Sequence, residues 1–88
     1  MKPNFFGAWT LIGHEYVELR NFSQAINAYR MAISANQKDY RAWFGLGQAY
    51  EYLKLYSYAL TNYMEASNLK PNDERPWIAL GLYLKVKS

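Results

Sequence analysis

The chain has 88 residues, a net charge of +3 and no cysteine, and 51% of its residues are apolar. This content suits a small folded domain, or a piece of a larger one, rather than a disordered segment. It excludes disulfide frameworks, thiol catalysis and cysteine-ligated zinc. No apolar run approaches the roughly 18 residues of a membrane span, and Met1-Lys2-Pro3-Asn4 carries no signal-peptide pattern.

The basic residues Arg20, Arg30, Lys38, Arg41, Lys54, Lys70 and Arg75 are scattered, and only Lys85 and Lys87 crowd together. Nucleic-acid binding would gather them on one face, so they read as a solubilising surface and no nucleic-acid or membrane partner is expected.

The tryptophans Trp9, Trp43 and Trp77 stand 34 residues apart. Trp9 is followed by Ile12, Gly13 and Tyr16, Trp43 by Leu46, Gly47 and Tyr50, and Trp77 by Leu80, Gly81 and Leu84. A second block repeats as Ala25, Tyr29 and Ala32, then Ala59, Tyr63 and Ala66. Pro71 closes the second unit, with Gln37 at the matching place in the first. This is the tetratricopeptide pattern, W-x2-L-G-x2-Y followed by A-x3-F and P, with tyrosine for phenylalanine. It predicts an all-α helix-turn-helix solenoid forming a right-handed superhelix. Repeat one covers 6–39, repeat two 40–73, and a partial third 74–88.

In chain order, the pattern places helices at Phe6–Leu19, Ser23–Ala35, Tyr40–Leu53, Tyr56–Leu69 and Glu74–Val86. Asp39 and Asp73 precede the second and third A helices and suit the N-cap position. Pro76 falls in a first turn, where a missing N–H costs little. Glycine inside a helix costs about 1 kcal/mol against alanine, so Gly13, Gly47 and Gly81 read as points of close helix approach. Arg20-Asn21 and Lys54-Leu55 form the turns within repeats. Asn21 tolerates a left-handed backbone, but no residue of the second turn favours one. The third unit stops halfway with Trp77, Leu80 and Tyr83 uncovered, so the chain reads as an excised piece of a longer array.

Catalysis needs convergent groups. The single histidine, His14, has Glu18 at i+4, close enough to touch. The pair supplies two metal ligands without a third and a base without a nucleophile. It reads as a polar pair lining a groove. Gly45 and Gly47 lie inside a helix, so there is no phosphate loop. No cofactor, metal or catalytic residue is expected.

At about 100° per residue, repeat positions 4, 7, 8 and 11 share the packing face. Positions 2, 5, 9, 12 and 13 lie on another, assigned to the concave groove. That face is Gly7, Thr10, His14, Val17 and Glu18 in repeat one. It is Arg41, Phe44, Gln48, Glu51 and Tyr52 in repeat two, then Arg75, Ile78, Leu82, Lys85 and Val86 in the third. Rings, amides and charges in this mixture suit an extended peptide.

The stretches Gly7-Ala8-Trp9-Thr10-Leu11-Ile12-Gly13-His14-Glu15-Tyr16, Asp39-Tyr40-Arg41-Ala42-Trp43-Phe44-Gly45-Leu46-Gly47-Gln48 and Leu69-Lys70-Pro71-Asn72-Asp73 go beyond the general repeat. They resemble the family of the eighth TPR subunit of the anaphase-promoting complex (the cyclosome). The resemblance spans nearly the whole chain, is densest over 7–53, and departs around Tyr56, Ser57 and Tyr58. It implies a non-catalytic scaffold of a cell-cycle ubiquitin ligase, found in nucleus and cytoplasm. The parent would be a V-shaped homodimer stacking with related TPR subunits, its groove binding an arginine-containing coactivator motif. Glu51 matches the acidic groove position for that arginine.

Two other readings are a chaperone-type adaptor that clamps a C-terminal carboxylate and a purely structural repeat segment. The clamp needs basic and amide groups, yet Thr10, His14 and Ala79 stand at those places.

Overall fold

The computed structural model describes residues 6–74 and residue 78. Four helices follow one another: α1 (Phe6–Glu18), α2 (Phe22–Ala35), α3 (Tyr40–Tyr52) and α4 (Tyr56–Leu69). α1 with α2 and α3 with α4 form two helical hairpins, α2 packs on α3, and α1 touches α3. The helix over 74–86 expected from the sequence lies largely outside the described residues.

Small residues and one aromatic per repeat build the interfaces. Ala25, Tyr29 and Ala32 of α2 meet Ala42 and Leu46 of α3, flanked by Trp9, Tyr16, Val17, Ile26, Ile33 and Tyr50. Ala59 and Tyr63 of α4 repeat the arrangement beside Phe44, Tyr50 and Leu60. Alanine at a contact lets backbones approach while a ring fills the remaining space.

Tyr29 shows this most sharply. A Cβ built on Gly13 would lie 2.6 Å from its Cε1, and one built on Gly45 would lie 2.6 Å from the same atom and closer still to Cζ. The ring is thus held between α1 and α3 at two glycines. Tyr63 covers Gly47 in the same manner, with Cδ1 at 2.8 Å from the missing Cβ.

Both hairpins turn by one motif. Arg20 and Lys54 adopt left-handed backbone, φ 62° and 63°. The Asn21 amide donates to the Tyr16 carbonyl at 2.8 Å and the Arg20 amide to Val17 at 2.9 Å. The Leu55 amide donates to Tyr50 and the Lys54 amide to Glu51, both at 2.9 Å. This is the Schellman closure, which satisfies carbonyls left open at a helix end. The left-handed residue is therefore Arg20 rather than Asn21, and Lys54 fills the same place in the second turn. The 6→1 and 5→2 bonds choose the residue by its position, and that position outweighs side-chain preference.

The link between repeats is capped as expected at Asp39. Its carboxylate accepts from the Arg41 amide at 3.2 Å, the second helical residue of α3. Asp73 begins the same turn again, its amide donating to the Lys70 carbonyl at 3.1 Å as that of Asp39 does to Asn36 at 3.2 Å.

Candidate functional site

Position five of the first two A helices is spent on packing, against the groove assignment. Thr10 is fully buried, and its hydroxyl donates to Asp39 Oδ2 at 2.7 Å. The bond ties the middle of α1 to the cap of α3 and takes Thr10 off the surface. Phe44 is half-buried, its ring 5.5 Å from that of Tyr63 and tilted by 49°. Val17, at position twelve, also packs into the first core.

The remaining candidates fall into two groups on α3. At its start, exposed Arg41 lies beside half-buried His14. His14 Nδ1 and the Tyr29 hydroxyl are 2.6 Å apart, and the two rings meet edge-on at 5.5 Å. His14 makes no hydrogen bond or ion pair with Glu18, so the expected polar pair does not form. The imidazole turns toward the phenol wedged at Gly13 instead. Burial holds the Tyr29 phenol well above its ordinary value, so it keeps its proton. Phenol donating to Nδ1 satisfies both groups and leaves Nε2–H as the remaining donor. Burial first, and then Arg41, hold His14 below its ordinary pKa, with Asp39 opposing.

At the other end of α3, Gln48, Glu51 and Tyr52 share a cleft of about 410 Å³ with Lys54 and Tyr56. The Tyr63 hydroxyl donates to Glu51 Oε1 at 2.5 Å, a charge-assisted bond. Burial, reinforced by Glu51, pushes the Tyr63 phenol far upward, so it remains a donor. Glu51 itself stays exposed, and among the described residues its Oε2 has no hydrogen-bond partner. Tyr52, 54% exposed, stacks on Phe22 at 4.8 Å and 14°, and the Arg20 guanidinium lies 5.9 Å from its ring centroid. The first repeat thereby braces a groove residue of the second. Ten residues of helix separate Arg41 from Glu51, about 15 Å.

Glu18 and Ile78 are exposed and belong to neither group. Gly7 contributes helix backbone only. Arg75, Leu82, Lys85 and Val86 lie outside the described residues. Lys54 and Tyr56 also line the cleft, although they lie beyond the helix A face that the repeat positions assign to the groove. The left-handed turn folds the chain back so that the first residue of α4 reaches the cleft. Among the described residues no cluster of three or more His, Cys, Asp or Glu could hold a metal, and no helix is long and apolar enough to cross a membrane.

Stacked antiparallel helix pairs with a 34-residue period, small residues at their contacts and a lined groove define a helical-repeat interaction module. The family model described as Tetratricopeptide repeat matches residues 10–73, and the chain belongs to that family. Such repeats generally mediate protein–protein interactions. No curated protein matches the chain.

Proposed function

We propose that the chain is a non-catalytic scaffold, part of a TPR subunit of the anaphase-promoting complex, whose groove binds an arginine-containing coactivator motif. The observation that carries the peptide reading is the cleft at Gln48, Glu51, Tyr52, Lys54 and Tyr56. A carboxylate oriented by Tyr63 and a ring braced by Phe22 form a preorganised seat for one guanidinium. Gln48 offers an amide to the peptide backbone. The assignment to the cyclosome rests on the sequence resemblance, as do homodimerisation, related TPR subunits as neighbours, and a nuclear and cytoplasmic location. Ubiquitin transfer would belong to other subunits.

The test is fluorescence anisotropy of a labelled octapeptide carrying one arginine, titrated with the chain and with Glu51→Gln. Glutamine preserves an acceptor for Tyr63 and removes the charge. Saturable binding that falls about tenfold or more in the variant supports the seat. A helical, folded chain that does not bind the peptide, or binds it equally after Glu51→Gln, refutes it. The first of those results points instead to a structural repeat segment.

A further inference from the structure

A second cleft, of about 240 Å³, opens between α2 and α3 and shares no residue with the groove. Ile33, Trp43 and Leu46 give it an apolar lining, and Arg30 and Ser34 are its polar members. Leu46 is buried, Ile33 and Trp43 are half-buried, and Arg30 and Ser34 are exposed. The Trp43 indole N–H donates to the Gln37 carbonyl at 2.8 Å. That bond fixes the ring and leaves its hydrocarbon surface as a preformed wall.

Arg30 and Ser34 lie at i and i+4 on α2, so they share one face. Neither the guanidinium nor the hydroxyl has a partner among the described residues. The repeat framework does not demand them, because Met64, Ser67 and Asn68 occupy the places of Arg30, Ile33 and Ser34 in repeat two, where α3 and α4 pair as α1 and α2 do. A cation and a hydroxyl beside an apolar hollow are therefore extra chemistry at one repeat junction. The volume lies below the roughly 300 Å³ at which small-molecule pockets begin. It suits one large side chain of a macromolecule, the form that binding hot spots take.

We propose that this cleft binds an acidic peptide segment of another protein through one apolar anchor. The anchor side chain sits against Ile33, Trp43 and Leu46. A neighbouring carboxylate pairs with Arg30 and accepts from Ser34. The net charge of +3 favours approach of an acidic partner.

The probe is a capped heptapeptide with one leucine followed by two glutamates in a glycine–serine background. It is titrated into the isotopically labelled chain and followed by NMR. Saturable shifts are expected at the Trp43 indole and the Ser34 amide, with Gln48 and Glu51 unmoved. Arg30→Met, which copies repeat two at an exposed site, should weaken binding about tenfold. Replacing the peptide leucine by alanine should weaken it comparably. Absence of saturable shifts at Trp43 and Ser34 overturns the proposal. So do shifts centred on Gln48, Glu51 and Tyr52, or an affinity unchanged by Arg30→Met.

Discussion

Gly45→Ala is the sharpest perturbation of the fold, because two physical terms of opposite sign meet there. Helix propensity alone predicts a gain of about 1 kcal/mol on replacing an interior glycine by alanine. The added methyl, however, would sit 2.6 Å from Tyr29 Cε1, where ordinary contact begins at 3.4 Å. A shift of about 1 Å is needed by the geometry of close packing. A free side chain would swing away. Tyr29 cannot, since it is 1% exposed and Gly13 meets its ring on α1 just as closely. Either α1 and α3 must separate or the ring must leave its slot.

Overpacking of this kind costs about 1–3 kcal/mol. Pinning from both sides places the site at the upper end. Set against the propensity gain, the net is a loss of about 1–2 kcal/mol. Urea denaturation followed by circular dichroism measures it directly. The decisive comparison repeats the substitution in a Tyr29→Leu background, where the ring is gone and Gly45→Ala should change sign and stabilise. A parent chain that Gly45→Ala stabilises by the propensity value would refute the reasoning.

Three further substitutions address the links between elements. Thr10→Val should cost about 1.5–3 kcal/mol, because it leaves Asp39 Oδ2 without its donor at a side chain only 10% exposed; denaturation equal to the parent would show the bond to be idle. Lys54→Gly relieves a left-handed residue worth about 1–2 kcal/mol, partly offset by greater freedom of the unfolded chain and loss of a cation at a helix end. The net gain should be about 0.5 kcal/mol, seen as a Tm about 2–4 °C higher. His14 is held below its ordinary pKa of 6.5 in the fold, so the unfolded chain takes up the proton first. Stability should be full above pH 6.5 and decline as pH falls below it. His14→Gln, the residue repeat two carries as Gln48, should remove that part of the decline in parallel melts near pH 7.5 and 5.5.

The period of the tryptophans and the helix ends were legible in the sequence because both follow from local rules. Each described helix lies within one residue of the expected boundary, and Asp39 caps α3 as its type suggests. What escaped depends on partners distant in sequence. Thr10 lies on the arc assigned to the groove, yet Asp39 draws its hydroxyl inward from 29 residues away. Gly45 looked like an incidental helix residue until the Tyr29 ring showed what its missing side chain admits. The left-handed Lys54 could not be read from its type, because the Schellman bonds set the conformation. Glu51 was singled out as a charge in the groove, but only the fold reveals Tyr63 orienting it and Tyr56 beside it.

The ring between two glycines also makes the junction directional. Tyr29 asks the unit that follows it for a residue without a side chain, and repeat two answers with Gly45. Repeat one carries Leu11 at the corresponding place. A duplicated copy of repeat two could therefore succeed repeat one, whereas a copy of repeat one placed after itself would drive a leucine into the tyrosine. The units share a period but are not interchangeable bricks. Shuffling or grafting them succeeds only when the tyrosine meets a small residue, Gly45 after Tyr29 and, one period on in the sequence, Ala79 after Tyr63, so the order of the array is written into its steric grammar.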